Sequence, residues 1–254
     1  MKRVYEYMNG ISFSIITATY NVSRRSIEET KKSLLSQGTN NFEWIIIDGS
    51  TNRHSSNDIY NAIKDLEIRT ILLCDRDKGI FDAFNKGLGI ARGEWIGFLG
   101  CGDTYYENTL KNIEEMLNSL NNYDILYGIV DITREDGAHY WFARSEQFLI
   151  EGEMMHHSAC FVKNSAYKEI GGFNCSYKSA SDLDAFIRLY QKGKKFYFLN
   201  IITTAFHQGG ISTKGRLPYE EKMKIMIKYG FVNRKEKIKY DLKSLIHAAK
   251  NRLS

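Results

Sequence analysis

The chain has 254 residues, 43% hydrophobic and 26% charged, with a formal net charge of +5; this is enough for one large α/β domain or two small ones of ordinary soluble composition. No run approaches the ~18 apolar residues of a membrane span, and the four cysteines (Cys74, Cys101, Cys160, Cys175) share no C-x-x-C spacing, which argues against a disulfide framework or zinc site and for a reducing, cytoplasmic setting. The charge is uneven: residues 214–254 carry twelve Lys/Arg against four Asp/Glu, leaving the first 213 residues near −3, so the basic end either meets an anionic partner or is a solvated helix face.

In chain order, residues 11–20 read as a core strand region rather than a leader. The apolar run 13–17 predicts a strand and 27–36 has helical spacing. A β-rich run over 42–47 ends on the turn cluster Asp48-Gly49-Ser50. A helix over 58–66, a strand over 71–74, an amphipathic helix over 80–91 and a strand over 95–99 follow, closed by Gly100-Cys101-Gly102. Alternation with short loops predicts a parallel sheet covered by helices, with polar residues gathered beyond the strand ends, where open α/β sheets bind ligands. The second half is less regular: strands over 124–132, 139–143, 155–162 and 195–199, and a helix over 182–191. Cys74 and Cys160 lie in apolar runs, as small hydrophobes do. The run Gly87-Leu88-Gly89-Ile90-Ala91-Arg92-Gly93 ends a helix and precedes a strand, the reverse of a dinucleotide loop; Gly93 reads as the helix stop.

Two loops carry the first chemical signal. The segment Thr17-Ala18-Thr19-Tyr20-Asn21 follows the first strand and Asp48-Gly49-Ser50-Thr51-Asn52 the second. Parallel strands bring both to one sheet edge, where an aromatic ring, hydroxyls and a carboxylate suit a nucleoside; ordinary turn chemistry is the competing reading. Asp103 closes a hydrophobic strand beside Asp48. A divalent ion there would bridge a diphosphate to the carboxylate and stabilise the leaving charge.

The block Asp77-Lys78-Gly79-Ile80-Phe81-Asp82-Ala83-Phe84-Asn85-Lys86-Gly87, leading through Ala91-Arg92-Gly93-Glu94-Trp95-Ile96 to Gly102-Asp103, resembles glycosyltransferase family 2, especially its bacterial polysaccharide branch with the colanic-acid-type transferases. The resemblance runs from Ser14 to about Ser212 through several spaced motifs in order. It implies the GT-A fold, an α/β architecture with a mostly parallel nucleotide-binding sheet flanked by helices. The expected organisation is a catalytic domain over 1–213, with a nucleotide-sugar half (1–105) and an acceptor half (106–213), then a basic helical tail over 214–254.

The implied reaction is inverting transfer from a nucleoside-diphosphate sugar to a hydroxyl of a glycan or lipid-diphosphate-linked acceptor in cell-surface polysaccharide synthesis, with Mg²⁺ or Mn²⁺. Carried over by position, Thr19 and Tyr20 contact the nucleotide and Asp48 holds base or ribose. Asp77 and Asn85 lie on the donor side, His207 begins a loop over the diphosphate, Asp103 binds the metal, and Asp182 is the catalytic base. Capping of a helix start is the alternative for Asp182. The chain departs from the pattern at Ala18, where many relatives have Pro, at Asn52, which replaces a common Asp, and at Cys101, which leaves one carboxylate in the Asp-x-Asp position.

The neighbours His156 and His157, read as strand residues, point to opposite faces, so at most one faces the cleft; an acceptor-side or structural role is preferred to metal binding. Asp184 reads as structural. In the tail, residues 223–229 and 238–245 mix apolar and Lys positions, as suits a helix lying on the anionic inner face of the plasma membrane. No nucleic acid is expected, because no aromatic-basic platform accompanies the charge. The rival classes are a nucleotidyltransferase, which would show a Gly-rich phosphate loop near the N-terminus, a two-carboxylate glycosidase, and a nucleic-acid binder resting on the tail alone.

Overall fold

The computed structural model describes residues 10–134, 137–207 and 216–232. Four strands form a parallel run: β1 (Phe13–Thr19), β2 (Phe42–Asp48), β3 (Arg69–Cys74) and β4 (Trp95–Phe98), in the order β3-β2-β1-β4. Every residue of β2 and β4 is buried, and helices on both faces explain why such strands read as continuous apolar runs. The crossovers are α1 (Arg24–Leu35), α2 (Arg53–Ile63) and α3 (Ile80–Ile90). Ser23 caps α1 by accepting from the Ser26 N–H, and Asn52 caps α2 by accepting from the His54 N–H. The Asn52 cap starts α2 five residues before the apolar spacing does.

Beyond β4 the sheet turns mixed. The short β5 (Thr104–Tyr105) is followed by α4 (Thr109–Met116), β6 (Ile125–Thr133), β7 (His139–Phe142), β8 (Cys160–Lys163), α5 (Asn164–Ile170), α6 (Ser181–Gln191), β9 (Phe196–His207) and α7 (Leu217–Lys228). The order continues β4-β8-β6-β9-β5, with β7 on β6. Because β8 is antiparallel to both β4 and β6, the carboxyl ends of β4 and β6 share one rim; β9, parallel to β6, ends there too.

The two faces hold separate cores. Phe13, Ile27, Trp44, Ile46, Ile59 and Ile113 pack under α1, α2 and α4. Phe84, Phe98, Tyr167, Phe186, Ile225 and Met226 pack under α3, α5, α6 and α7.

Several expectations are corrected here. Residues 155–162 are not one strand: a single 3₁₀ turn, His157–Ala159, precedes β8. The last strand runs to His207, held by parallel pairing to β6. The elements β5, α4 and α5 were not anticipated, being too short for a clear period. Gly93 does not stop α3, which ends on Ala91 in an extended conformation. A Cβ at Gly93 would collide with the backbone of Phe13 and Ser14, so close approach to β1 is its reason. Cys160 is buried, but Cys74 is exposed. Finally, Met223, Ile225 and Met226 are buried, the last two in the core shared with α6, so these apolar residues are not available to a membrane. Residues 238–245 lie outside the described residues.

Candidate active site

The register places Thr19 beside Asp48 and Asp48 beside Cys74. Asp48 is 2% exposed. Its Oδ1 accepts from Thr19 Oγ1 (2.9 Å), the Ser50 N–H (3.2 Å) and Ser50 Oγ, and its Oδ2 accepts from Ser56 Oγ. Asp48 therefore organises the two loops itself, and Ser50 and Ser56 are partners that sequence reasoning did not single out. Asn21, at φ +50°, stitches the same loops: its N–H donates to Ser50 Oγ (2.7 Å) and its Oδ1 accepts from the Asn52 N–H (3.2 Å). Tyr20 is 63% exposed beside them.

Asp77 comes against the same corner. A Cβ at Gly49 would overlap its Oδ2, so only glycine next to Asp48 lets the third loop approach. Its Oδ1 accepts from the Gly79 N–H (2.9 Å). Asn85 is engaged otherwise: Nδ2 donates to the Phe173 carbonyl (2.9 Å) and Oδ1 accepts from the Phe173 N–H (2.8 Å). Its amide braces the turn before α6.

Asp103 ends a tight turn. Its N–H donates to the Gly100 carbonyl (3.0 Å), and Gly102 takes φ +99°. Thr30 of α1 braces the turn by donating to the Asp103 carbonyl (3.0 Å) and accepting from the Gly102 N–H (2.9 Å). Burial pushes the Asp103 carboxyl up to about 7, against the opposing pull of backbone N–H groups at His207 and Gly100. His207 reaches it through the main chain, N–H to Oδ1 at 3.3 Å, while the His207 side chain is exposed. Cys101 is pushed up to about 12 by burial and then by Asp103, Glu29 and Asp48, so its thiol stays neutral and does not replace the missing acid. Among the described residues no three His, Cys, Asp or Glu groups form a metal cage.

Asp182 lies in the first turn of α6. The cap position belongs to Ala180, which has no side-chain cap bond, and Asp182 accepts only locally from the Leu183 N–H (2.9 Å). Helix capping is therefore not its role. The carboxyl is pushed up to about 6 by burial, opposed by the N–H groups of Leu183 and Asp182, with the charge of Glu221 adding to the rise. Asp184 faces elsewhere: it accepts from Arg188 Nε (2.8 Å), Lys228 Nζ (2.8 Å) and Tyr229 OH (2.9 Å), a structural knot.

An aromatic cluster joins the two halves. His157 stacks on Phe98 at the end of β4 (4.8 Å between centroids) and meets Phe186 of α6 edge-on (5.9 Å). Burial drives His157 down to about 3 and His156 to about 4, so both rings are neutral. Each ring packs on aromatic neighbours, His156 on Phe206, and each has a hydroxyl partner, His156 Nδ1 with Ser158 Oγ (2.8 Å) and His157 Nε2 with Tyr167 OH (3.5 Å), in keeping with a structural role.

Residues 14–194 match the family model described as Glycosyl transferase family 2. The chain belongs to that family. This glycosyltransferase is 28% identical over 237 residues to the PGL/p-HBAD biosynthesis glycosyltransferase of Mycobacterium tuberculosis, an alignment covering 89% of this chain and 91% of the relative. An uncharacterized glycosyltransferase of Methanocaldococcus jannaschii is 23% identical over 192 residues, 72% of this chain and 66% of the relative. In fold the enzyme is similar to S. aureus TarS 1-349, solved in complex with UDP (TM-score 0.63, 20% identity, 85% of this chain) and with UDP-GlcNAc (TM-score 0.66, 19% identity, 85% of this chain). The family 2 enzyme spans 64% and 65% of those two chains. The curled α/β sheet with flanking helices is the GT-A architecture.

Proposed function

We propose that this glycosyltransferase moves a sugar from a nucleoside-diphosphate sugar to a hydroxyl of a glycan or lipid-linked acceptor, with inversion, in cell-surface polysaccharide synthesis. The observation that carries the reading is Asp182, a partly buried carboxyl at a helix start that does not cap the helix and that burial pushes up to about 6. A base of this kind takes the acceptor proton as the hydroxyl oxygen attacks C1 opposite the nucleotide. The C1–O bond to the diphosphate breaks as the new bond forms, so one base serves and no covalent sugar–enzyme intermediate is needed.

The donor loops support the same reading. Tyr20 offers an exposed ring beside the braced Asp48, and Asp77 closes the corner at Gly49. The TarS structures hold UDP and UDP-GlcNAc, which makes uridine nucleotides the first donors to try. Asp103 fits Mg²⁺ or Mn²⁺ as a single desolvated carboxylate, since Mg²⁺ takes one or two carboxylates plus substrate phosphates and water. Such an ion would supply charge neutralisation at the leaving diphosphate.

A panel of UDP-, GDP- and dTDP-sugars, with and without Mn²⁺, scored by thermal shift and by hydrolysis, tests the proposal. Stabilisation by one nucleotide class, enhanced by metal and lost in Asp103→Asn, is expected. No stabilisation by any of them sinks the donor reading. No described helix is long and apolar enough to cross a membrane. We place any contact with the anionic inner membrane surface beyond residue 232. Liposome flotation with and without residues 233–254 decides it, and equal binding rejects it.

A further inference from the structure

We propose that Glu221 of α7 is a positioning residue for Asp182, gathering the backbone that leads into α6. The inference rests on Asp182 as the base. Glu221 is 4% exposed, and its carboxylate takes three main-chain donors in a row. Oε1 accepts from the Lys178 N–H (2.7 Å), and Oε2 accepts from the N–H groups of Ser179 (2.7 Å) and Ala180 (3.1 Å). Hydrogen bonds to an ionised acceptor are roughly twice as strong as neutral ones.

The backbone so held is the entry to α6, whose cap residue Ala180 offers no side-chain oxygen. The hydroxyls of Ser179 and Ser181 are buried without a hydrogen-bond partner, so no serine cap holds this entry. The acid that does is forty-one residues away.

Helix α7 grips α6 a second time through Lys228 and Tyr229 on Asp184. Asp182 thus sits between two anchors set by one helix. The Lys178 side chain carries the fixed loop to the donor side, donating to the Lys78 carbonyl (2.7 Å) next to Asp77. Glu221 lies beyond the residues matched by the family model, which end at 194. Around Asp182 the titratable groups that couple to it are Glu221, Cys160 and Tyr167, and Glu221 is the one whose charge raises its pKa.

Glu221→Gln and Glu221→Asp, beside Asp182→Asn, test the proposal in the full chain. The probe is UDP-GlcNAc or whichever panel sugar nucleotide hydrolyses fastest. Turnover is joined by amide hydrogen exchange over residues 176–186, which needs no substrate. For Glu221→Gln the expected result is a kcat about 10- to 100-fold lower with KM within about threefold. Its acid limb should move to lower pH, and exchange over 176–186 should rise about tenfold or more while β1, β2 and β4 keep their protection. Glu221→Asp keeps the charge, so its acid limb should stay in place while kcat falls. It also serves as the readout if the Gln variant does not fold.

Wild-type kcat or wild-type exchange in the Glu221 variants, with Asp182→Asn inactive, overturns this inference alone. Wild-type turnover in Asp182→Asn overturns the base assignment instead, whatever the exchange shows.

Discussion

Asn85 and Phe173 form a two-way clamp across 88 residues of sequence: the Asn85 amide donates to the Phe173 carbonyl at 2.9 Å and accepts its N–H at 2.8 Å. The clamp ties α3, which follows the donor loop, to the turn that leads into α6. Gly172 makes this possible, with φ +72° and no Cβ to strike Asn85 Oδ1. Asn85→Ala leaves two main-chain groups partly buried and unpaired, so we expect a loss of about 2 kcal/mol in urea unfolding. A change within about 0.5 kcal/mol, the usual range for a neutral surface substitution, would mean water replaces the amide.

Under the proposed mechanism, Asp182 sets the acid limb of the rate profile. As a base it acts when deprotonated, so kcat/KM should climb with pH through about 6 rather than through the ordinary 3.8. Asp182→Asn should lower turnover roughly 10²- to 10⁴-fold with nucleotide affinity retained. The same shift has a stability sign. Between the ordinary and raised values the native state holds the proton more tightly than the unfolded chain, so stability falls as pH rises through this window. At pH 7.5 Asp182→Asn should therefore be more stable than wild type by about 1–2 kcal/mol. Equal melting at that pH counts against the desolvated carboxylate.

Gly93 and Gly89 should respond to alanine in opposite ways. At Gly93 a methyl meets the main chain of Phe13 and Ser14, which cannot move aside within β1. A loss of about 1–3 kcal/mol is expected from such overpacking. At Gly89, exposed in α3, nothing lies within 4 Å, and alanine should add about 0.5–1 kcal/mol by helix propensity. Thermal melting of the two variants together checks the pair; matching shifts would be incompatible with both arguments.

His157 gives the fold an acid sensitivity of the opposite sign to that of Asp182. Its folded pKa, about 3, lies below the ordinary 6.5. Below pH 6.5 the unfolded chain therefore binds the extra proton, and this contribution to stability is lost as pH falls. Phenylalanine preserves the stacking on Phe98 and removes the titration. Between pH 7.5 and pH 5, wild type should lose about 1–2 kcal/mol relative to His157→Phe. Comparing the two proteins cancels the contributions of Asp103 and Asp182, which titrate in both. Parallel pH profiles would place His157 in contact with water.

The strands of the parallel half were legible to within about two residues at each end, while α2 was legible only in part, because it starts at Arg53 rather than at 58. β1, β2 and β4 are buried on both faces and so appear as mostly apolar runs; Asp48 is the last residue of β2, whereas Asp103 follows the turn beyond β4. The mixed half was not. The 3₁₀ turn His157–Ala159, the short α5 and the extension of β9 to His207 depend on neighbours that a local window does not contain. Asp182 was found through its motif, and its freedom from capping emerged only when Ala180 proved to be the cap residue.

Local sequence was enough for the parallel sheet, for the family, and for Asp48 at the end of β2. Burial on two faces and helical spacing are properties of consecutive residues. It took packing in three dimensions to show that the amide of Asn85 serves a turn, that Ile225 and Met226 belong to the core, and that Glu221 holds the entry to α6. Those outcomes rest on hydrogen bonds and packing between segments from 41 to 88 residues apart. At such separations no local pattern records which partner a side chain will meet.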